Sequence, residues 1–206
     1  MMKSIDPADL EMKENYKILT GTIVPRPIAF VTSLAEDGTL NAAPFSYFNI
    51  ISADPPMVSI AVQRNPGGER KDTARNAEYK GEFVVHITDE DNVEKANETS
   101  AGVPADVSEV EMTGLETVES TKVSVPGLVN AKVRFECATE TIIPLGGTKG
   151  EPSCDLLIGR ILHYHLDQEV YQDNGHTDYR KLKPVSRLAG NDYGKLGELF
   201  ALKRPK

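Results

Sequence analysis

The sequence predicts a mostly-β fold, a barrel or sandwich of six or so strands with two small helices. Three observations carry that expectation. Apolar, β-branched runs recur along the chain, clusters of Gly, Pro and Asp separate them, and helical patterning is confined to two short stretches.

In chain order, Ile28 to Leu34 (IAFVTSL) is apolar and β-branched, and the EDG that follows has the chemistry of a tight turn. Asn41 to Ile51 reads as a second extended run, so the two make a hairpin. The DPP at Asp54 to Pro56 breaks the chain before Met57 to Val62 (MVSIAV), whose alternation gives a third strand. A Pro-Gly loop then passes into a short helix over about Thr73 to Tyr79, stopped by Gly81. Glu82 to Ile87 (EFVVHI) is the next strand. Residues 91–111 are polar, charged and helix-like, an excursion from the sheet with Asp91 as its candidate N-cap. Two long strands follow, within AKVRFECATETIIPL and CDLLIGRILHYHL, joined across the glycine- and proline-containing GGTKGEPS. The tail, about 168–206, has little periodicity and is expected to be ordered by docking rather than by its own propensity.

The 206 residues fit a single domain, 1–206, long enough to bury a core. A net charge of −8 argues against nucleic-acid and anionic-membrane partners, both of which need a basic footprint. Any phosphate must then be held by a local cluster. Cys137 and Cys154 lie in apolar, strand-like segments without CxxC spacing and read as two buried free thiols. The start, MMKSIDPADL, has no apolar h-region, and no apolar run is long enough to span a bilayer, so a soluble cytoplasmic protein is expected.

Three stretches carry candidate chemistry. In PRPIAFVTS, two prolines flank Arg26 and hold the strand entry extended, with the arginine read as a solvated side chain at a kink. Thr32 and Ser33 at that strand's end offer short hydroxyls suited to the edge of a polar ligand. In APFSYFN, alternation sends Phe45, Tyr47 and Asn49 to one face and Ser46, Phe48 and Ile50 to the other, so neither face is uniformly apolar. Pro44 to Asn49 then either fills a core or subunit interface with rings, or lies along a planar heteroaromatic. In RNPGGERKDTARN, Arg64, Arg70, Lys71 and Arg75 stand against Glu69 and Asp72 just ahead of the helix. Asp72 and Thr73 are cap candidates. The helix N-terminus favours an anion, Lys71 supplies a point charge, and Arg64 supplies a two-pronged donor. Neither a Walker nor a GxGxxG loop is present. The four histidines lack metal spacing; His163 and His165 share one strand face, where one could meet the polar edge of a cofactor.

Taken in succession, RPIAFVTSLAEDGTLNAAPFSYFNIISADPPMVSIAV, RKDTARNAEYKGEFVVHI, and the ending IGRILHYHLDQEVY with VSRLAGNDYGKLGELFALKRP resemble the flavin reductase-like family. The ending carries an Arg-Leu-x-Gly-x-x-Tyr segment, with Ala189 where glycine is expected. This resemblance implies a six-stranded Greek-key split barrel that binds FMN (FAD is also open) in a groove at a homodimer interface, with NAD(P)H as hydride donor. It implies that Thr32, Ser33 and the strand carrying Pro44, Phe45, Ser46, Tyr47, Phe48 and Asn49 lie along the ring and ribityl chain. Arg64, Lys71, Asp72 and Thr73 would hold the phosphate. A flavin oxidoreductase is the implied activity, and an FMN-binding carrier without turnover is the alternative.

Overall fold

The computed structural model describes residues 1–148 and 150–205. Seven strands form one antiparallel sheet: β1 (Ala29–Leu34), β2 (Leu40–Phe45), β3 (Phe48–Ala53), β4 (Pro56–Gln63), β5 (Glu82–Ile87), β6 (Val133–Leu145) and β7 (Cys154–Leu166). Their order is β2-β1-β5-β6-β7-β4-β3. The two edges of this sheet, β2 and β3, are consecutive strands separated only by Ser46 and Tyr47, so the sheet must curl until its ends meet. Side chains from all seven strands accordingly share one core: Ala29, Val31, Phe45, Phe48, Val58, Ile60, Val62, Phe83, Val85, Cys137 and Leu157.

The count of seven rather than six has a local cause. The run expected as one strand over 41–51 breaks at Ser46–Tyr47, and its halves pair with different partners: Phe45 with Ala29 on β1, Phe48 with Ile60 on β4. The break also overturns the expected alternation, because Phe45 and Phe48 are both buried in the core while Asn49 is exposed. Pro44, which has no N–H to donate, is tolerated because β2 is an edge strand.

Local signals account for the remaining elements. β1 and β2 form the expected hairpin, closed by the Ala35 N–H to Thr39 carbonyl bond with Gly38 at φ 92°. At Gly159 on β7 the constraint is close approach: an added Cβ would sit 2.3 Å from Cζ of Phe83, inside contact distance. The helix α1 (Met12–Thr22), which the sequence reading did not include, starts with a reciprocal Glu11–Glu14 capping box. The helix α2 spans Asp72–Lys80 and ends at Gly81 with φ 71°, as expected. Its cap is not the expected one: Lys71 occupies the cap position, and neither Asp72 nor Thr73 caps it.

The excursion over 91–111 holds two short helices, α3 (Val93–Glu98) and α4 (Glu109–Met112). Asn92, not Asp91, occupies the α3 cap position, and Asp91 pairs with Lys132. Arg26 is also not solvated. At 7% exposure it donates to the carbonyls of Thr20, Ile23 and Leu188, tying α1 and the C-terminal segment to the strand entry. The tail docks through a small sheet in which Ser186–Arg187 pairs with both Arg26–Pro27 and Tyr193–Gly194. Cys137 and Cys154 are free and buried. No helix is long and apolar enough to cross a membrane among the described residues.

Candidate functional site

α2 packs against the sheet with Thr73, Ala74, Asn76 and Ala77 buried, which aims its N-terminus at the end of β2. Between them lies a cleft of about 160 Å3 lined by Asn41, Ala43, Pro44, Phe45, Lys71, Asp72, Thr73 and Glu109, with Asn65 and residues 99–103 on its rim. Of the residues expected at a site, the structure therefore brings together Pro44, Phe45, Lys71, Asp72 and Thr73. The first N–H groups of a helix have no intrahelical partner, and among the described residues no side chain caps α2. The cleft thus joins an open helix N-terminus and an exposed lysine to a short apolar wall.

The other expected residues are placed elsewhere. Thr32 and Ser33 are fully buried: the Thr32 hydroxyl donates to the Pro126 carbonyl at 2.7 Å, and the Ser33 hydroxyl donates to Asn41 Oδ1 at 3.2 Å. Ser46 and Tyr47 form the half-buried corner between β2 and β3, Phe48 enters the core, and the Asn49 side chain accepts from the N–H of Ile50. Arg64 grips Asp155 on β7 with Nε at 3.0 Å and Nη2 at 2.7 Å, and Nη1 donates to the Gly68 carbonyl. Asp155 is 1% exposed, and Nε of Arg70 lies 3.4 Å from its second oxygen. Arg70 also pairs with Glu78, and Arg75 pairs with Asp72 and Glu69. Of the four cations in the run, three are engaged by carboxylates, and Lys71 has no ion-pair partner among the described residues.

Two residues absent from the expected set complete the cleft floor, Asn41 and Glu109. Nδ2 of Asn41 donates to both Glu109 oxygens at 3.0 Å. Burial pushes the Glu109 carboxyl above its ordinary range. Its own N–H, that of Ala42 and the Asn41 amide act against the rise, and the charge of Asp72 adds to it. No local signal marks either residue, since Glu109 lies 68 positions from Asn41 in sequence.

A larger cleft, about 620 Å3, shares Asp72 but is walled by Glu36, Asp37 and Asp106 against the single cation Arg75. Its charge disfavours an anion, so the smaller cleft is the one suited to phosphate. The histidines stand apart from both. His86 is buried, donating from Nδ1 to the Phe30 carbonyl and accepting at Nε2 from the Leu128 N–H. Burial lowers its pKa to about 3 and keeps it neutral. His163 and His165 do share a face, their ring centroids 4.8 Å apart, and His165 is held by Glu136.

Residues 21–183 match the family model described as the flavin reductase like domain. The uncharacterized protein YwrF of Bacillus subtilis is 53% identical over 197 residues, 95% of this chain and 96% of its own length. Among solved structures, nitrilotriacetate monooxygenase component B from Bacillus cereus superposes with a TM-score of 0.96 at 54% identity, covering 98% of this chain and 99% of that one. The 2-nitrobenzoate 2-nitroreductase NbaA of Pseudomonas fluorescens superposes at 0.88 with 30% identity, covering 98% and 96%.

Proposed function

The chain belongs to the flavin reductase-like family, and on that premise we propose that it is an FMN-binding flavoprotein, an NAD(P)H-dependent flavin oxidoreductase acting as a homodimer. The observation that carries this reading is the cleft itself, where a helix N-terminus with no side-chain cap and a lysine with no ion-pair partner, among the described residues, face the apolar edge Ala43–Phe45. That donor set fits a phosphate joined to a flat, largely apolar ring. Lys71 and the N–H groups of Asp72 and Thr73 would hold the phosphate, and Pro44 and Phe45 would wall the ring. Arg64, committed to Asp155, would stiffen the loop ahead of α2 rather than touch the ligand.

Flavin, when bound, supplies the hydride-accepting and electron-passing chemistry. What remains for the chain is binding and orientation. Each charge-assisted contact to the phosphate is worth about 1.5–3 kcal/mol. Size and surface support the dimer. At about 160 Å3 the cleft is smaller than the roughly 300–1,000 Å3 of most small-molecule sites, which favours a site completed by a second copy. Exposed apolar side chains offer contact area for such a copy: Ile18, Leu19 and Ile23 on and beside α1, and Ile50 and Ile51 on β3. The likeness to a monooxygenase component B suggests that reduced flavin is delivered to a separate oxygenase component, and the likeness to a nitroreductase suggests a nitroaromatic acceptor.

The test is the absorbance spectrum of the purified protein with and without added FMN, followed by steady-state oxidation of NADH and NADPH. Oxidation well above the free-flavin background supports the reductase. Tight FMN binding without it would leave a carrier, and failure to bind any flavin would overturn the proposal.

A further inference from the structure

Below the cleft runs a chain of buried polar side chains that phosphate binding does not use directly. It starts at Glu109, which is 6% exposed at the first position of α4. Both its oxygens accept from Nδ2 of Asn41, and one also accepts from the N–H of Ala42 at 3.2 Å. Because a carboxylate only accepts, it fixes the Asn41 amide with nitrogen toward Glu109 and oxygen away. That oxygen in turn accepts from the Thr73 hydroxyl at 2.9 Å and the Ser33 hydroxyl at 3.2 Å. Asn76 closes the set by donating to the Ser33 hydroxyl at 3.2 Å. One carboxylate thus anchors a set of side chains that links α4 to β2, β1 and the first two turns of α2.

We propose that Glu109 is a positioning residue for the anion site: through Asn41 it holds Thr73 and the open N-terminus of α2 in place, and its carboxyl takes up a proton as a phosphate enters the cleft. The proposal rests on the cleft being where the flavin phosphate binds. Geometry supplies the coupling, since Glu109 lines the same cleft as Lys71, Asp72 and Thr73. Asp72 acts on it from α2, Lys71 stands in the cleft, and Glu111 is exposed on its own helix; α3, which packs on β2 as α4 does, carries Glu94 and the Lys95–Glu98 pair. β2, Asn65 and residues 99–103 contribute no titratable side chain.

The sign is fixed by Coulomb's law. A phosphate dianion disfavours the ionised form of a nearby carboxyl, so binding favours protonated Glu109. By linkage, phosphate affinity falls as pH rises through the carboxyl's already raised range. On protonation one oxygen can still accept from the Asn41 amide and the Ala42 N–H, while the other gives up its bond from Asn41.

The test compares FMN with riboflavin, which lacks the phosphate, in the full-length wild-type chain and in Glu109→Gln from about pH 5 to 8. The phosphate's own second proton, lost near about pH 6, titrates with both proteins and cancels between them. The wild-type preference for FMN should fall about three- to tenfold more over this range than that of Glu109→Gln. Parallel profiles would overturn the proton uptake. Positioning has a readout independent of flavin: amide exchange in Glu109→Ala should accelerate about tenfold or more at Ala74 and Arg75, whose N–H groups close the first turn of α2 onto the Lys71 carbonyl, while β6 stays protected. Unchanged exchange there would overturn it. If wild-type protein does not distinguish FMN from riboflavin, the phosphate assignment and the proton uptake fall together, and the exchange measurement still decides whether Glu109 positions α2.

Discussion

Replacing Lys71 by alanine should weaken FMN and leave riboflavin alone. The residue occupies the cap position of α2 and lines the cleft. Arg64 and Arg70 are bound to Asp155 and Glu78, and Arg75 to Asp72, which leaves Lys71 as the cation of this run with no carboxylate partner among the described residues. A charge-assisted contact is worth about 1.5–3 kcal/mol. Lys71 is exposed, so solvent and salt bring the expectation to the lower end, about tenfold in Kd. The assay is quenching of flavin fluorescence, titrated for FMN and riboflavin in parallel at low and moderate salt. FMN should weaken about tenfold at low salt and less at moderate salt, with riboflavin changed by less than about twofold. Equal losses for the two ligands, or none for either, would show that the phosphate does not sit at this helix and would refute the reasoning.

Arg64→Ala should behave in the opposite way: it strips the bidentate partner from a buried carboxylate, so the midpoint of thermal unfolding should drop further than in Lys71→Ala, while the FMN-to-riboflavin ratio stays near wild type. Gly159→Ala forces a Cβ to 2.3 Å from the Phe83 ring and should cost about 1–3 kcal/mol in urea unfolding, with Phe83→Leu in the same chain recovering part of the loss. His86 is neutral in the fold, its pKa lowered to about 3 from 6.5, so the unfolded chain binds the extra proton between those values. Its contribution is complete above about pH 6.5 and is lost toward pH 3 at up to about 1.4 kcal/mol per pH unit; urea midpoints should fall less steeply with acid in His86→Gln than in wild type.

What could be read from the sequence was what local chemistry decides. The β1–β2 hairpin announces itself through EDG and two β-branched flanks, and α2 through its stop at Gly81. The long strands β6 and β7 are legible because each run is rich in apolar and β-branched residues and the two are joined across the glycine- and proline-containing 146–153. The corner at Ser46–Tyr47 was not legible, because 41–51 has no glycine to announce a break. The break exists because β3 finds β4, a pairing that no window along 41–51 contains. Arg26 fails in part for the same reason: its tie to the Leu188 carbonyl spans 162 positions.

The candidate site shows the same division more sharply. Residue types alone gave the run 64–76 an excess of two positive charges, with Arg64 and Lys71 as the expected phosphate ligands. The fold brings Asp155 from 91 positions away to claim Arg64, and draws Arg70 toward it as well. What remains for the proposed anion site is one ammonium and the first N–H groups of a helix whose first turn is pinned, through Thr73 and Asn41, to a carboxylate on another element. Grip and aim are therefore divided between residues. Substituting Lys71 should change how strongly a phosphate is held, while substituting Glu109 should change where α2 points and how binding responds to pH. Two variants with the same loss of FMN affinity but different pH profiles would be the experimental sign of that division.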